Sequence, residues 1–271
     1  MLNFLFWNLN RRTLADHLVS LTVHHDLDFV FLAECTIPPR LLVDRLSTRG
    51  KTYFEVAGLP GALGGISRFG AEHLKPQFDS PNLRLALRKF VHPDHPELLI
   101  AIAHLPSQLH SSRASADMEC VTLSRIIRDE EGKVGHKRTL LIGDLNVNPF
   151  NDGVLGTQGL HAAMTKELAF RGARTVKGTS YPFFYNPMWS HFGDGSGGPA
   201  GTYYYERGEA VECLWNMFDQ VLLRPELAKY FDPRELRILT EAGSVQLVRG
   251  NGRPDVRSGS DHLPVFFKIN I

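Results

Sequence analysis

The chain has 271 residues, which is the length of one domain or of one domain with a large elaboration. Hydrophobic residues make up 43% of the chain and charged residues 22%, and this balance excludes a chain that is mainly disordered. The 30 Lys and Arg residues are matched by 29 Asp and Glu residues, and the net charge of +1 excludes a histone-like polycation.

The cysteines favour a reducing compartment. Cys35, Cys120 and Cys213 are odd in number, are widely spaced and form no Cys-x-x-Cys pair. We therefore expect reduced thiols in a cytoplasmic protein, and neither a disulfide scaffold nor a zinc ribbon. No apolar run has the length of a membrane span, and the short apolar N-terminus lacks a basic leader, so we interpret it as a first strand.

Apolar runs of strand length alternate with segments of helical periodicity along the chain. Strands are predicted over Leu2–Trp7, Asp28–Ala33, the neighbourhood of Ile66, Leu85–Val91, Glu97–Ala103, Thr139–Ile142, Met217–Leu223 and Leu263–Ile269. Helices are predicted after Thr13 as N-cap, with Leu14, Leu18 and Leu21 on one face, over Pro38–Ser47 and over Ser112–Arg128.

The stretch around residues 148–216 differs from the rest because it is rich in Gly, Pro and aromatic residues. It predicts a loop-rich elaboration that lies over the surface. No linker divides the chain, so residues 1–271 are predicted to form a single catalytic domain with this elaboration.

Polar residues repeatedly fall at the ends of the predicted strands. They are Asn8, Glu34, His104, Asp144, Asn146, Asp261 and His262. Any one of them has an ordinary structural explanation, such as a turn Asp, a capping Asn or a core His with a backbone partner. Their shared placement favours an active site, because a sheet holds such side chains rigidly while the loops admit substrate.

The residue types indicate a hard cation. Glu, Asp and Asn oxygens suit Mg²⁺ or Mn²⁺, and the histidines lack the spacing of a zinc site. A hard cation with carboxylates and two histidines is typical of phosphoryl transfer, in which charge on phosphate is neutralised and a carboxylate acts on water.

Seven short motifs occur in one order along nearly the whole chain. They are Trp7-Asn8-Leu9-Asn10, Phe31-Leu32-Ala33-Glu34, Gly65-Ile66-Ser67-Arg68, Ala103-His104-Leu105-Pro106, Gly143-Asp144-Leu145-Asn146, Phe218-Asp219-Gln220-Val221 and Ser260-Asp261-His262-Leu263-Pro264-Val265. This series resembles that of the endonuclease/exonuclease/phosphatase superfamily, which includes deoxyribonuclease I, exonuclease III, sphingomyelinases and inositol polyphosphate 5-phosphatases.

The resemblance implies a fold and a metal site. The expected fold is α/β (α+β), a four-layer sandwich of two packed mixed β-sheets flanked by helices, with the site at one edge. Glu34 is expected to be the principal ligand of Mg²⁺ or Mn²⁺, assisted by Asn8 and Asp261.

The resemblance also implies catalytic roles. Asp144 is expected to orient or deprotonate the attacking water, and Asn146 beside it to contact phosphate. His262 is expected to face the scissile phosphate, with Asp219 fixing its tautomer and charge. His104 is expected to contact phosphate, as in the members that are similar to deoxyribonuclease I.

Substrate contacts are predicted for Asn10, Arg11, Arg12 and Tyr203, although a solvated helix start explains the two arginines equally well. The chain departs from the family pattern at several positions. His104 has no evident carboxylate partner in the sequence, and Glu55 is only a weak candidate. The run Thr202-Tyr203-Tyr204-Tyr205 stands where the exonuclease III pattern has tryptophans, and these changes affect the substrate rather than the chemistry.

Two short basic runs leave two interpretations open. Arg171, Arg174 and Lys177 form one, and Arg249, Arg253 and Arg257 form the other. Each is either a solvated face or part of a polyanion track beside the catalytic loops.

The sequence thus predicts a metal-dependent phosphodiesterase, with a nuclease acting on DNA or RNA as the first hypothesis and nucleic acid as the expected partner. The alternative is an enzyme acting on a small phosphoester, such as a phospholipid head group or an inositol phosphate. A third possibility is an inactive binding module on the same fold.

Overall fold

The computed structural model describes residues 1–107, 113–208 and 213–271. In these residues the chain forms two large mixed β-sheets that pack face to face, with helices on their outer sides. The predicted fold class is therefore confirmed.

The strands of the described residues carry the labels β1 to β19 in chain order. They are Leu2–Asn8 (β1), Phe29–Ala33 (β2), Phe54–Glu55 (β3), Gly64–Ser67 (β4), Leu74–Ser80 (β5), Leu85–His92 (β6), His95–His104 (β7), Thr139–Asp144 (β8), Ala162–Ala163 (β9), Ala173–Val176 (β10), Thr179–Pro182 (β11), Phe184–Tyr185 (β12), Tyr203–Tyr204 (β13), Trp215–Asn216 (β14), Asp219–Leu223 (β15), Arg237–Ile238 (β16), Glu241–Ala242 (β17), Val245–Gln246 (β18) and Val265–Ile269 (β19).

The helices carry the labels α1 to α6. They are Ala15–His24 (α1), Pro39–Ser47 (α2), Arg113–Val134 (α3), Asp152–Leu155 (α4), Lys166–Ala169 (α5) and Pro225–Ala228 (α6), with 3₁₀ helices at Pro187–His191 and Pro233–Glu235. No helix in the described ranges is both long enough and apolar enough to cross a membrane.

The two sheets have the orders β16-β19-β1-β2-β4-β3 and β5-β6-β7-β8-β15-β12-β9. In the first sheet β1 runs parallel to β2 and antiparallel to β19. In the second sheet β7 runs parallel to β8, and β15 runs antiparallel to β8. These central strands are continuous apolar runs because both of their faces are covered.

Each sheet face has its own apolar partner. One core cluster joins residues of both sheets, with Phe4 stacked between Phe29 and Phe267 at ring-centroid separations of 4.8 and 5.0 Å. A second cluster packs α3, through Leu123 and Ile127, on the outer face of the second sheet. The hydrophobic effect thus fixes the order helix, sheet, sheet, helix.

Several predicted elements differ from the observed ones in detail. The first helix starts at Ala15 with Leu14 as its cap, and no side chain caps it, so Thr13 does not have the predicted role. The predicted start of the third helix, Ser112, lies outside the described residues. The predicted elaboration contains short elements, two of which, β9 and β12, complete the edge of the second sheet. Cys35, Cys120 and Cys213 are free, as predicted.

A buried ion pair connects the second sheet to α3. Arg224, just after β15, contacts Glu131 of α3 with Nε–Oε1 and Nη2–Oε2 distances of 2.8 and 3.2 Å, and their side chains are 1% and 3% exposed. The guanidinium also donates to the carbonyls of Pro182 and Phe183 and lies 3.8 Å from the Phe184 ring centroid. All three nitrogens of the guanidinium thus donate hydrogen bonds that close this end of the sandwich.

We expect Arg224→Met to lower the free energy of unfolding by about 3–5 kcal/mol, because it leaves the Glu131 carboxylate buried without its cation. Urea denaturation at pH 7 measures the change. Arg171→Ala is the matched control, since its pairing with Glu167 is exposed and contributes less than about 1 kcal/mol. Equal losses in the two variants would contradict a structural role for the buried pair.

Candidate active site

Strand register brings three predicted catalytic residues together at one edge of the second sheet. His104 ends β7 and pairs with Asp144, which ends the parallel strand β8. Asp219 begins the antiparallel strand β15 and pairs with the same Asp144. Directly paired residues on neighbouring strands point to the same face of a sheet, so the three side chains lie side by side.

The first sheet contributes the opposite wall of the site. Asn8 ends β1 and donates from Nδ2 to Asp144 Oδ2 at 2.8 Å. Ser260 donates to the Asn8 carbonyl at 2.7 Å, and the Trp7 indole donates to the His262 carbonyl at 2.8 Å. These bonds hold the segment before β19 against the end of β1. Asn8 therefore orients Asp144 across the interface between the sheets.

His262 and Asp219 form a buried pair. His262 Nδ1 lies 2.7 Å from Asp219 Oδ2, and the backbone N–H of Asp219 donates to Thr202 Oγ1 at 3.2 Å. Burial lowers the pKa of His262, but the charges of Asp219 and Asp144 outweigh it and raise the pKa to about 10. Burial raises the pKa of Asp219, whereas the charge and the hydrogen bond of His262 oppose that shift, so the two groups titrate as a coupled pair.

Asp144 is the centre of the cluster and is almost completely buried. Its Oδ1 accepts from the backbone N–H of Asn146 at 2.9 Å. Its Oδ2 lies 3.9 Å from Nε2 of both His262 and His104, which is too far for a hydrogen bond. The two imidazoles thus face one carboxylate oxygen across a gap.

The carboxylate neighbours of His104 are Glu34 and Asp144. Glu34 Oε1 lies 3.7 Å from His104 Nε2, and Glu34 Oε2 lies 3.7 Å from Arg11 Nε. The weak candidate Glu55 was wrong, because it lies exposed on the edge strand β3. Burial lowers the pKa of His104, although Asp144 opposes this shift. Because a neutral His104 carries no positive charge, this ring does not offset the negative charges of Glu34 and Asp144.

The donor chemistry of the cluster fits a cation. In the described ranges, Asp144, Asp219 and His262 are the residues whose potential ligand atoms all lie within 4.8 Å of one another. The predicted ligands Glu34 and Asp261 stand beside this group, Glu34 through His104 and Asp261 through Ser260 Oγ at 3.2 Å. Carboxylates gathered at one buried edge repel one another, and a divalent cation offsets that repulsion.

Four non-glycine residues of the site have left-handed backbone conformations. The φ angles of Asn10, Arg11, Glu34 and Asn146 are 46°, 56°, 47° and 51°. Such conformations are uncommon for residues with a Cβ, and they occur at sites where the surrounding structure holds them. The turns after β1, β2 and β8 therefore carry backbone strain at the point where the predicted ligands and catalytic groups meet.

The predicted substrate residues divide into two groups. Arg11 projects outward with a side chain that is 79% exposed, and the Tyr203 ring lies 4.6 Å from the His262 ring and 5.4 Å from Phe218. Asn10 donates its backbone N–H to Asn8 Oδ1 at 2.9 Å, and Arg12 donates to the Val256 carbonyl. Arg11 is thus exposed and Tyr203 packs beside His262, while the Arg12 guanidinium bonds a neighbouring loop. The Asn10 bond uses only its backbone N–H, and the residue itself is exposed. The substrate contacts of these four residues stay predictions.

Only one of the two basic runs lies beside this edge. Arg253 lies over the Tyr204 ring at 3.9 Å, next to the segment that carries Tyr203. The run Arg171, Arg174 and Lys177 belongs to the β10–β11 hairpin, whose end is bound by Arg224 near the start of β8. Asp144 is the last residue of the same strand, so the base of this hairpin lies at the opposite end of β8 from the site.

Sequence reasoning missed the residues that support the cluster. Ser260 bonds Asn8 and the backbone N–H of His262, and Thr202 bonds the backbone of Asp219. Ser260 stands inside the Ser-Asp-His motif, so its position was a usable signal. Trp7 and Thr202 also stand in segments that the sequence analysis singled out, but their contacts with His262 and Asp219 join segments that are distant in sequence and could not be predicted.

We expect the His262 ring to titrate near pH 10 in the protein without metal, and to titrate at a lower pH in Asp219→Asn, where the charge and hydrogen bond of that carboxylate no longer oppose burial. Because the folded pKa is raised, the stabilisation is complete below pH 6.5 and is lost as the pH rises through about 10. NMR titration of the ring measures the pKa, and urea denaturation measures the stability. An unshifted pKa in Asp219→Asn would contradict the pairing.

No protein-family model matches the sequence, and no curated protein matches it either. Solved structures do match over the whole chain. A 3′ phosphatase from Neisseria, NExo, bound to a product DNA hairpin, has 16% identity and a TM-score of 0.59 with 100% of both chains covered. An AP endonuclease from Archaeoglobus fulgidus has 14% identity and a TM-score of 0.57 at the same coverage.

A third structure, an endonuclease/exonuclease/phosphatase family protein from Leptotrichia buccalis, has 11% identity and a TM-score of 0.58, again with 100% of both chains covered. At these identities the likeness concerns the fold. It agrees with the resemblance seen in the ordered motifs. The chain has the endonuclease/exonuclease/phosphatase fold.

Proposed function

We propose that the protein is a Mg²⁺- or Mn²⁺-dependent phosphodiesterase, and that it is a nuclease that hydrolyses phosphodiester bonds of DNA or RNA with water as the nucleophile. The observation that carries the proposal is the grouping of Asp144, Asp219, His104 and His262 at one sheet edge. Such a set supplies a base, a charge-stabilising donor and anionic ligands for a metal.

Glu34 is proposed as the principal ligand of the metal, with Asn8 and Asp261 assisting. The bound ion would neutralise negative charge on the phosphate. Glu34 is suited to this role because its carboxylate is partly exposed and is approached by only one cation, Arg11, among the contacts of the described residues.

The protein's own groups divide the remaining work. Asp144 accepts two hydrogen bonds that fix its orientation, and it is proposed to orient the attacking water and accept its proton. Protonated His262 keeps Nδ1–H on Asp219 and presents Nε2–H toward the gap, where it stabilises charge on the phosphate oxygens. His104 and Asn146 are proposed to contact the same phosphate.

Two features support nucleic acid as the substrate. Rings of Tyr203, Tyr205 and Phe218 are stacked at 5.4–6.0 Å beside His262, and stacked rings can hold bases. Arg11 is exposed at the mouth of the site. The structural likeness to a phosphatase bound to a DNA hairpin agrees with this choice.

One observation favours a small phosphoester as the second candidate. The hairpin with Arg171, Arg174 and Lys177 has its base near the start of β8, at the opposite end of that strand from Asp144. With a net charge of +1, the protein also lacks a general attraction to polyanions.

A substrate panel tests the proposal. Plasmid, linear duplex, single strands, RNA, inositol phosphates and sphingomyelin are incubated with Mg²⁺, Mn²⁺ or excess EDTA. We expect cleavage of nucleic acid with metal and none with EDTA. Glu34→Gln should reduce metal affinity and rate together, whereas Glu55→Gln, an exposed edge-strand control, should match wild type. Full activity in EDTA would contradict the metal, and cleavage of small phosphoesters alone would establish the second candidate.

Asp144→Asn is expected to lower the single-turnover rate by roughly 10²–10⁴-fold, because it removes the basic group while keeping its shape. Substrate binding should hold or tighten, since one negative charge near the phosphate is removed. Cleavage and equilibrium binding are measured with one labelled substrate and metal, and Asp152→Asn at the first turn of α4 is the control. A rate within a few-fold of wild type would remove Asp144 from the chemistry.

A further inference from the structure

A cavity of about 580 Å³ lies apart from the catalytic residues. Its walls come from the end of α1, from β16 and the segment that follows it, and from the end of the 3₁₀ helix Pro187–His191 and the loop after it. None of the predicted catalytic, metal or substrate residues lines it. Its volume is in the range of small-molecule binding sites, which is roughly 300–1,000 Å³.

Basic side chains are concentrated on one side of this cavity. The buried ring of Phe266 is stacked by the His25 ring at 4.7 Å, and the Arg237 guanidinium lies over it at 4.9 Å. His24 meets His25 edge-on with a ring-centroid separation of 4.7 Å. The Phe266 ring thus holds a guanidinium and an imidazole close together in the cavity wall, and the His24 imidazole extends the group.

Arg237 is the main source of positive charge on this side of the cavity, because burial keeps the neighbouring His25 ring neutral. Burial, and then the charges of His24, Arg237 and Lys268, lower the pKa of His25 to about 4. Lys268 has a carboxylate partner in Glu235 at 2.9 Å. Arg237 has no carboxylate within salt-bridge distance in residues 1–107, 113–208 and 213–271. An anion placed beside Arg237 would pair with this guanidinium and could accept hydrogen bonds from the adjacent imidazole N–H groups.

The other residues that line the cavity indicate which chemical group is attached to the anion. Ile238, Leu239 and Pro199 offer apolar surface, and His191 offers a third imidazole. Glu241 is the carboxylate in the lining, and it accepts from Gln246 Nε2 at 3.2 Å. The histidines do not form a metal cage, because the metal-ligand grouping found in the described part of the chain is the one at Asp144.

We propose that this cavity binds a small organic phosphate of mononucleotide size, with the phosphate on Arg237, His24 and His25 and the organic part against Ile238, Leu239 and Pro199. A guanidinium with adjacent imidazoles supplies the several donors that a phosphate dianion needs. A lone inorganic phosphate would leave most of the cavity unfilled, which is why the ligand is an ester.

The test measures binding of adenosine monophosphate to the full chain by calorimetry and NMR, in EDTA so that metal does not recruit the ligand elsewhere. We expect adenosine monophosphate to bind at least about tenfold more tightly than inorganic phosphate or adenosine, since either fragment loses one half of the contacts. The ring signals of His24 and His25 should move, and those of His104 and His262 should not.

Arg237→Gln should weaken this binding by about tenfold or more, and His24→Gln provides a second variant of the same site. Arg234→Gln is the charge-matched control, because Arg234 is 90% exposed and paired with Asp232 outside the cavity. Nuclease activity should be unchanged in all three variants, so this test is independent of the proposed catalysis.

Three results would overturn the proposal. They are no binding of adenosine monophosphate at millimolar concentration, equal affinity for inorganic phosphate, and binding that is unaffected by Arg237→Gln. A fourth arm uses a 5′-phosphorylated oligonucleotide. If it displaces adenosine monophosphate and moves the His24 and His25 signals with equal or higher affinity, the phosphate belongs to a polymer and the free small ligand is rejected.

Discussion

The register of three neighbouring strands determines the rest of this site. Because His104, Asp144 and Asp219 are paired across β7, β8 and β15, their side chains must share one face at one edge. A slip of one residue in any of these strands would turn its side chain to the other face of the sheet. Packing of the two sheets through their aromatic core then brings Asn8 and His262 against that edge.

The cost of this arrangement is electrostatic and conformational. Asp144 and Asp219 are buried next to each other, and His262 is held protonated between them. Glu34 and Asn146 have left-handed backbones at the same place. Apolar burial elsewhere in two large sheets offsets these costs, and a bound cation would offset the charge further.

Much of the architecture could be predicted from the sequence, because buried strands are short apolar runs and the polar residues follow directly after them. The strands whose ends or adjoining loops carry the site, β1, β2, β7, β8 and β19, were all predicted within a few residues. Contacts between distant segments could not be predicted. Glu55 was considered for His104, whereas register and sheet packing place Glu34 and Asp144 there. For the basic hairpin the sequence left open a solvated face or a polyanion track, and the bond from Arg224 to Pro182 places the base of the hairpin near the start of β8, away from Asp144.

The central claim is that the shared sheet edge holds a divalent cation against a phosphodiester. Crystals of the protein soaked with Mn²⁺ and a phosphorothioate oligonucleotide test it most directly, because the anomalous signal of manganese locates the ion without reference to activity. We expect a manganese peak within coordination distance of the Glu34 carboxylate and of a phosphorothioate oxygen, beside Asp144 and His262. A saturating soak with no manganese at this edge, or with manganese and oligonucleotide bound only elsewhere on the protein, would contradict it.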